Sequence, residues 1–375
     1  MSQGPESAFK PLGIKELRNH INTWIIQILG RDRLEYLCSN TMNRVMQTIN
    51  PFLWTYDLKA TVSGRRQETP DVVSFELLPN QHWQSPRAGQ YVELLLNIDS
   101  QSYERAYSIS DICGDRFWIT VKAHPQGKVS NWLHQHLQVG HELHLRGPLG
   151  QFVYRQQTSI LLICAGSGIT PCFSIVKDLL KQASEQRPQI TLYAQFSRPA
   201  DTIFAETLAH WRQAGLDIRL AYSQEPAAGD AAPLSAQNVT DLFADFQNQD
   251  IYLCGPEGLK QVVLNALEKA AFPYSRLHLE NFNPIRPTDT QSHTLAEIYF
   301  SPYNYRLQMQ ESDRHKTLLQ LGLEHGLNLE KGCCKGICGS CKLVLQQGEV
   351  DGQQQGKVVY LCSAYPRSAK VVLGY

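Results

Sequence analysis

Three cysteines in one short loop and a fourth well downstream constrain this chain more than any other feature. They are Cys333-x4-Cys338-x2-Cys341, then Cys362 after 20 intervening residues. Four thiolates at that spacing suit a two-iron, two-sulfur cluster, with three ligands on one loop and the last arriving alone. Zinc sites draw on two close-spaced pairs, which this loop does not offer, so zinc and a ligand-free structural role are the lesser readings. Gly332, Gly336 and Gly339 supply the backbone freedom to wrap closely and turn amides toward the sulfurs. A disulfide scaffold belongs to short secreted chains. This chain has 375 residues, and its opening MSQGPESAFK lacks the basic-then-apolar pattern of an export signal. The expected compartment is the reducing cytoplasm, with a peripheral place at the inner face of the membrane as the further option.

That length predicts two or three domains. Apolar residues make up 42% and charged residues 19%, which reads as ordered protein. Lys+Arg 35 balances Asp+Glu 35, leaving no basic excess for a phosphate backbone, so no nucleic-acid partner is expected. No apolar run approaches membrane-spanning length. Residues 1–54 read as a helical extension, a hairpin packed on the barrel or else an interfacial or partner-docking element, with one stripe at Ile14, Leu17, Ile21, Trp24, Ile25 and Ile28. A second stripe follows at Met42, Val45, Met46 and Ile49; Gly30 divides the two and Pro51 ends the pair. Residues 55–156 switch to short alternating runs at 58–62, 72–78, 91–98, 117–122 and 142–145, predicting an antiparallel β-barrel. Over 157–282, continuously apolar runs at 160–164, 190–196, 218–222 and 251–254 alternate with helical segments. That pattern predicts an α/β domain whose parallel sheet is covered on both faces. Polar, Pro-rich 283–292 reads as a linker, and 293–375 as a separate module.

Five further motifs carry chemistry. Arg105-Ala106-Tyr107-Ser108-Ile109-Ser110 is expected after a barrel strand; alone it is weak, since Tyr and Ser are common on plain exposed strands. Gly127-Lys128-Val129-Ser130 opens an amphipathic helix, whose first amides suit a phosphate. Gly166-Ser167-Gly168-Ile169-Thr170-Pro171 follows an apolar strand: a tight turn, close backbone approach to a pyrophosphate, and a helix N-terminus facing negative charge. Pro171 belongs in the first helical turn, where its missing donor does no harm. Cys254-Gly255-Pro256 ends a parallel strand at the carboxyl edge where ligands bind; a buried strand cysteine is the plain alternative. For Glu280-Asn281-Phe282 the plain alternative is a solvated carboxylate.

Together with Gly147-Pro148-Leu149-Gly150-Gln151-Phe152, this set resembles the FAD-binding barrel and nucleotide domain of ferredoxin–NADP reductase-like proteins. Residues 293–375 resemble the plant-type ferredoxin domain, an α+β β-grasp fold, through GCCKGICGSCKLVLQQGEV and LCSAYPRS. Two departures stand out: Cys334 replaces the family's usual Arg, and the segment between Cys341 and Cys362 is short. The resemblance, over residues 55–375, implies an NAD(P)H-dependent oxidoreductase with FAD and a [2Fe–2S] cluster on Cys333, Cys338, Cys341 and Cys362. It implies a flavin site at Arg105, Ala106, Tyr107, Ser108, Gly127, Lys128, Val129 and Ser130. Within that site Arg105 and Ser130 hold the pyrophosphate, Tyr107 stacks on the isoalloxazine and Ser108 lies near its reactive nitrogen. Cys254 stands beside the nicotinamide, Glu280 and Phe282 beside the flavin edge, and Ser108, Cys254 and Glu280 form the catalytic set. The reduced nucleotide rests on Gly166, Gly168, Thr170, Pro171, Gly255 and Pro256.

Ser197-Arg198 follows the second parallel strand, where an arginine can pair a 2′-phosphate. Gln224 stands where NADP-specific relatives carry Arg. The balance favours NADPH, with NADH as the alternative. Histidines 134, 136, 141 and 144 are expected at the surface rather than in a metal site. The implied activity is a relay through FAD and the cluster to a redox partner protein. A membrane fatty acyl desaturase is the first choice, because an extension like residues 1–54 (net charge +2) resembles that of desaturase reductases and suits peripheral membrane association. A Rieske or di-iron oxygenase, or a hybrid-cluster protein, is the alternative. A non-catalytic flavin or zinc-stapled sensor is the rival of another class. The chain is expected to act as a monomer.

Overall fold

The structure, a computed structural model, describes residues 14–30, 33, 50, 52–53, 55, 57–239, 246–282, 295–331, 336 and 339–375. The apolar stripe expected at 42–49, Pro51 and the expected linker over 283–292 lie outside the described residues.

Helix α1, Ile14–Leu29, forms where the first apolar stripe predicts it. Of that stripe's described side chains, Ile25 packs inward and three face out. Ile26 packs with the fully buried Phe52 and Leu53, whereas Ile21, Trp24 and Ile28 are 47%, 63% and 57% exposed. Asn22 sits in the packed face and its side-chain oxygen accepts a hydrogen bond from Asn50 Nδ2 at 2.7 Å. That bond pairs the Asn22 side-chain oxygen inside the packed face.

Six strands follow: β1 (Lys59–Thr69), β2 (Val72–Pro79), β3 (Tyr91–Ile98), β4 (Gln101–Cys113), β5 (Arg116–Lys122) and β6 (Glu142–Leu149). They close into a barrel in the order β1-β2-β5-β4-β3-β6, each pair antiparallel. Helix α2, Lys128–His136, sets Val129 and Leu133 into the core beside Val62, Phe75, Leu94, Ile109 and Phe117. The Arg105–Ser110 segment lies inside β4, not after a strand. The first half of β4 is polar and carries no alternation to read. Residues 101–108 pair with β3 and 109–113 with β5, so backbone pairing rather than side-chain periodicity makes it a strand.

The next unit runs β7 (Ser159–Ala165), α3 (Ile169–Leu179), β8 (Gln189–Phe196), α4 (Ala205–Gln213), β9 (Asp217–Tyr222), β10 (Asp250–Cys254), α5 (Glu257–Lys269) and β11 (Leu277–Glu280). The sheet is parallel, ordered β11-β10-β7-β8-β9. Strand β7 reads SILLICA because both faces are buried: Ile160, Leu162 and Cys164 meet α3, while Leu161 and Ile163 share a core with Val263 and Leu267 of α5. Strand β11 goes beyond the sequence expectation, being four residues long and half polar. It forms the sheet edge and brings Glu280 level with Cys254.

The last module contains β12 (Glu297–Phe300), β13 (Tyr305–Gln308), α6 (Leu318–Glu324), β14 (Lys342–Gln347), β15 (Val350–Gln355), β16 (Val358–Pro366) and β17 (Lys370–Gly374). Its sheet order is β13-β12-β17-β14-β16-β15, with β12 and β17 parallel and the other pairs antiparallel: a ferredoxin-like β-grasp sheet. Thr317 starts α6 through a reciprocal cap. Its hydroxyl accepts Gln320 N–H at 3.2 Å and Gln320 Oε1 accepts Thr317 N–H at 2.8 Å, an arrangement of about 1 kcal/mol. Leu161 and Leu253 of the nucleotide sheet share one apolar core with Ile298, Leu319 and Tyr360 of this module. Among the described residues, no helix is long and apolar enough to cross a membrane.

Candidate functional site

On the barrel, Arg105 and Tyr107 lie on one face of β4, with Ala106 and Ser108 on the other. Ser108 is 4% exposed, and its hydroxyl oxygen is buried without a hydrogen-bond partner. A buried hydroxyl left unsatisfied is costly, so a polar partner belongs beside it. Burial pushes the Tyr107 phenol well up, with Arg105 opposing. Arg105 bonds Glu104 O at 2.8 Å and lies over the Tyr103 ring, which Lys128 approaches to 5.5 Å. Lys128 also pairs with Asp99 at 3.0 Å, and that contact raises its pKa. Gly127 caps α2 with no side-chain hydrogen bond. Ser130 turns back instead, accepting His124 N–H at 3.1 Å and donating to Gly127 O at 3.3 Å.

On the nucleotide sheet, β7 runs into a tight turn, Gly166–Gly168, and then α3, with Pro171 in the helix's first turn. A Cβ on Gly168 would collide with the Cys254 carbonyl, so this turn rests directly on the end of β10. Thr170 Oγ1 donates to Ser167 O at 2.9 Å, holding the turn. Gly255 follows Cys254, and Pro256 caps α5. Parallel register lines up Cys164, Cys254 and Glu280 across β7, β10 and β11. Burial, then Cys172 and Glu280, push the Cys254 thiol well up, while Lys260 pulls it down. Lys260, 5% exposed, pairs with Glu257 at 2.9 Å and donates to Asn281 Oδ1. The sequence reading missed Lys260 and Cys172; a lone Lys in an amphipathic helix carries no distinguishing signal. Phe282 packs at the edge of the same core. Arg198, after β8 and beside Ser197, stands apart from this row. It donates to Gln224 Oε1 at 2.7 Å and faces Glu225 at 3.8 Å. The histidines also disperse: His134 bonds Val121 O at 2.8 Å, and His144 lies 3.8 Å from Asp57.

In the last module, Cys341 is 5% exposed just before β14, and Cys362 lies in β16. Leu361 N–H bonds Cys341 O at 3.2 Å, which brings the two cysteines to adjacent strands. Gly336 N–H points at Cys362 Sγ at 3.1 Å, an amide-to-sulfur contact of the kind that supports a metal-bound thiolate. Cys333, Cys334 and Cys338, with Gly332, lie outside the described residues.

The modules meet around β11. Lys342 Nζ donates to Leu277 O at 2.8 Å, and a Cβ on Gly339 would sit 3.3 Å from Leu279 O. Burial, then Arg155, lower the Lys342 ammonium to about 8. His278, bonded to Asp250 at 3.4 Å and Gln157 at 3.3 Å, is lowered to about 4 by burial and then by Lys342. A cavity of about 240 Å³ lies here between Phe152 and Arg155, His278, and Cys341 and Lys342. Lys177 joins Asp111 at 2.5 Å, tying α3 to the barrel.

Family models match three segments in this order: an oxidoreductase FAD-binding domain over 59–154, an oxidoreductase NAD-binding domain over 162–265, and a 2Fe-2S iron-sulfur cluster binding domain over 304–367. The glycine betaine monooxygenase reductase subunit of Chromohalobacter salexigens is 31% identical over 327 residues, 78% of this chain and 86% of that protein. The chain belongs to the NAD(P)H-dependent reductases that join FAD and [2Fe–2S] domains. The reductase is also 26% identical over 349 residues to one of the 1,2-phenylacetyl-CoA epoxidase subunits of Escherichia coli, covering 84% of this chain and 96% of that one. The FAD/NAD-binding domain of nitric oxide dioxygenase from Vibrio cholerae superposes with a TM-score of 0.55 at 28% identity, covering 61% of the reductase and 99% of that chain. An intact self-sufficient cytochrome P450 monooxygenase shares the fold over 88% of the reductase and 44% of its own length, with a TM-score of 0.57 at 21% identity. The residues present fit the groups the reductase uses. The buried Ser108 hydroxyl fits a flavin, the Gly168 turn fits a dinucleotide, and the Gly336 amide on Cys362 fits an iron–sulfur cluster.

Proposed function

We propose that this reductase is the electron-supplying component of an oxygenase system, relaying electrons from NAD(P)H through FAD and [2Fe–2S] to a separate oxygenase. The observation that carries the reading is positional. The cysteine-bearing loop rests on the carbonyls of Leu277 and Leu279, in the strand that ends at Glu280, so the hydride and iron sites share one short element. The similarity to a monooxygenase reductase subunit and to an epoxidase subunit supports an oxygenase as the partner.

When bound, the flavin takes two electrons together and releases them singly, and the cluster carries one at a time. Gly166, Gly168, Thr170, Pro171, Gly255 and Pro256 form the backbone cradle for the nucleotide, and Ser197 with Arg198 faces its ribose. The raised Cys254 pKa keeps a neutral thiol beside the nicotinamide at physiological pH, avoiding repulsion of hydride. Glu280 and Phe282 line the flavin edge. With a flavin bound, the Ser108 hydroxyl would face its reactive nitrogen, Tyr107 would stack on the ring beside Ala106, and Arg105, Gly127, Lys128, Val129 and Ser130 would hold the pyrophosphate. Cys333, Cys338, Cys341 and Cys362 bind the irons. The module boundaries at 54/55, 156/157 and 292/293 belong to the same proposal. NADPH is the preferred donor on the strength of Arg198. The Glu225 carboxylate beside it weakens that preference.

A second reading, with a membrane acyl desaturase as the partner, is favoured by one observation: the outward apolar stripe Ile21, Trp24 and Ile28 of α1. Two measurements test the relay. Purified protein carries flavin and two irons per chain; flavin with one zinc instead would sink the relay. Cys362→Ser abolishes NAD(P)H-driven cytochrome c reduction through the cluster and retains ferricyanide reduction at the flavin. Retention of both would show that Cys362 is no ligand.

A further inference from the structure

Strand β11 is the open edge of the nucleotide sheet. An open edge presents unpaired carbonyls on alternate residues, and proteins cover or charge such edges. Here the cover is the loop that bears Cys341. Residue 339 approaches the Leu279 carbonyl, and Lys342 Nζ donates to the Leu277 carbonyl at 2.8 Å. Leu277 and Leu279 are two apart and present the same edge, so the contacts bracket Cys341 along one line. Gly339 has φ +67° and a tight approach, which holds the loop flat against the strand.

An ammonium is an expensive way to cover an edge. Lys342 lies beside a second cation, Arg155, and gives up hydration to reach a neutral carbonyl. An apolar side chain would fill the space at lower cost but could not fix a register, because apolar contact is non-directional. The shared core behind β11 holds the modules together without fixing their register, and the Lys357–Glu268 pair at 3.0 Å joins them again farther out.

We propose that Lys342 is the positioning residue that fixes the cluster-bearing loop to the open edge of β11 and so sets the gap electrons cross inside the chain. The proposal rests on the relay reading above. In iron-loaded, full-length Lys342→Met, iron content and ferricyanide reduction stay at wild-type levels. Appearance of the reduced-cluster signal after mixing with one equivalent of NAD(P)H slows at least tenfold. Lys342→Gln keeps a donor and recovers part of the rate. A purely structural role would lower melting temperature or iron content and leave this rate unchanged in the loaded fraction. An unchanged rate in iron-replete Lys342→Met overturns the proposal. Should that variant lose iron, hydrogen exchange of the 277–282 peptide is compared in metal-free wild type and variant. Faster exchange in the variant supports the dock, and equal exchange overturns it. Failure of the relay itself looks different, since the wild type would then show no reduced-cluster signal at all.

Discussion

At Gly168 the absence of a side chain is a functional requirement. The position is not conformationally unusual; what forbids a Cβ is the Cys254 carbonyl on the next strand. Gly168→Ala therefore pushes α3 away from the end of β10 and moves the turn amides. We expect the KM for NAD(P)H to rise about tenfold, equivalent to about 1.4 kcal/mol, with flavin content unchanged. Steady-state kinetics and flavin absorbance check this, and an unaltered KM would show that the turn tolerates displacement. The G-x-G spacing was readable in the sequence, but its reason was not. Nothing in the linear order of residues brings residue 168 against residue 254. The same holds for Lys260, which is buried next to Asn281, 21 positions away.

At the scale of elements, β11 combines structure and titration. His278 is stacked on Tyr252 at 4.3 Å and faces Asp250 on β10, with Lys342 and Arg155 nearby. Its folded pKa of about 4 lies below the ordinary value of 6.5. Between those limits the unfolded chain takes up a proton that the folded chain refuses, so stability falls as pH drops through the window and levels off below it. Denaturant titrations from pH 7 to 4 should show this slope. His278→Gln should flatten it by up to about 1.4 kcal/mol per pH unit. An identical slope in the variant would assign the effect to other groups. Barrel and parallel sheet were legible because their apolar runs alternate or persist. Strands β4 and β11 were not: β4 is polar over its first half, and β11 has too few residues for a period. Both are strands because their neighbours' backbones pair with them. The burial of Asn22 on α1 was not legible either, because its partner Asn50 lies 28 positions away. The neighbouring placement of Cys341 and Cys362 was not fixed by their spacing alone; it depends on the pairing of β14 with β16.

Over the whole molecule, α1 presents Ile21, Trp24 and Ile28 outward while Ile26 faces in. Replacing Trp24 and Ile28 together by Ser should leave ferricyanide reduction unchanged and lower partner-coupled turnover severalfold. Vesicle sedimentation separates the partners: loss of binding to anionic vesicles favours a membrane-embedded acceptor, and no binding before or after favours a soluble oxygenase. Unchanged coupled turnover would remove α1 from partner recognition altogether.

The apolar core that runs from Leu161 through Leu279 to Tyr360 also bears on engineering the protein. Modules joined by a tether can be exchanged like cartridges; modules that share an interior cannot. A chimera carrying a foreign ferredoxin module would have to import a matching β11 and the apolar faces behind it, or leave bare the edge where Lys342 now donates to the Leu277 carbonyl. For the same reason the iron chromophore doubles as a thermometer for the nucleotide domain. As the protein is warmed, visible bleaching and loss of NAD(P)H binding should fall on a single curve.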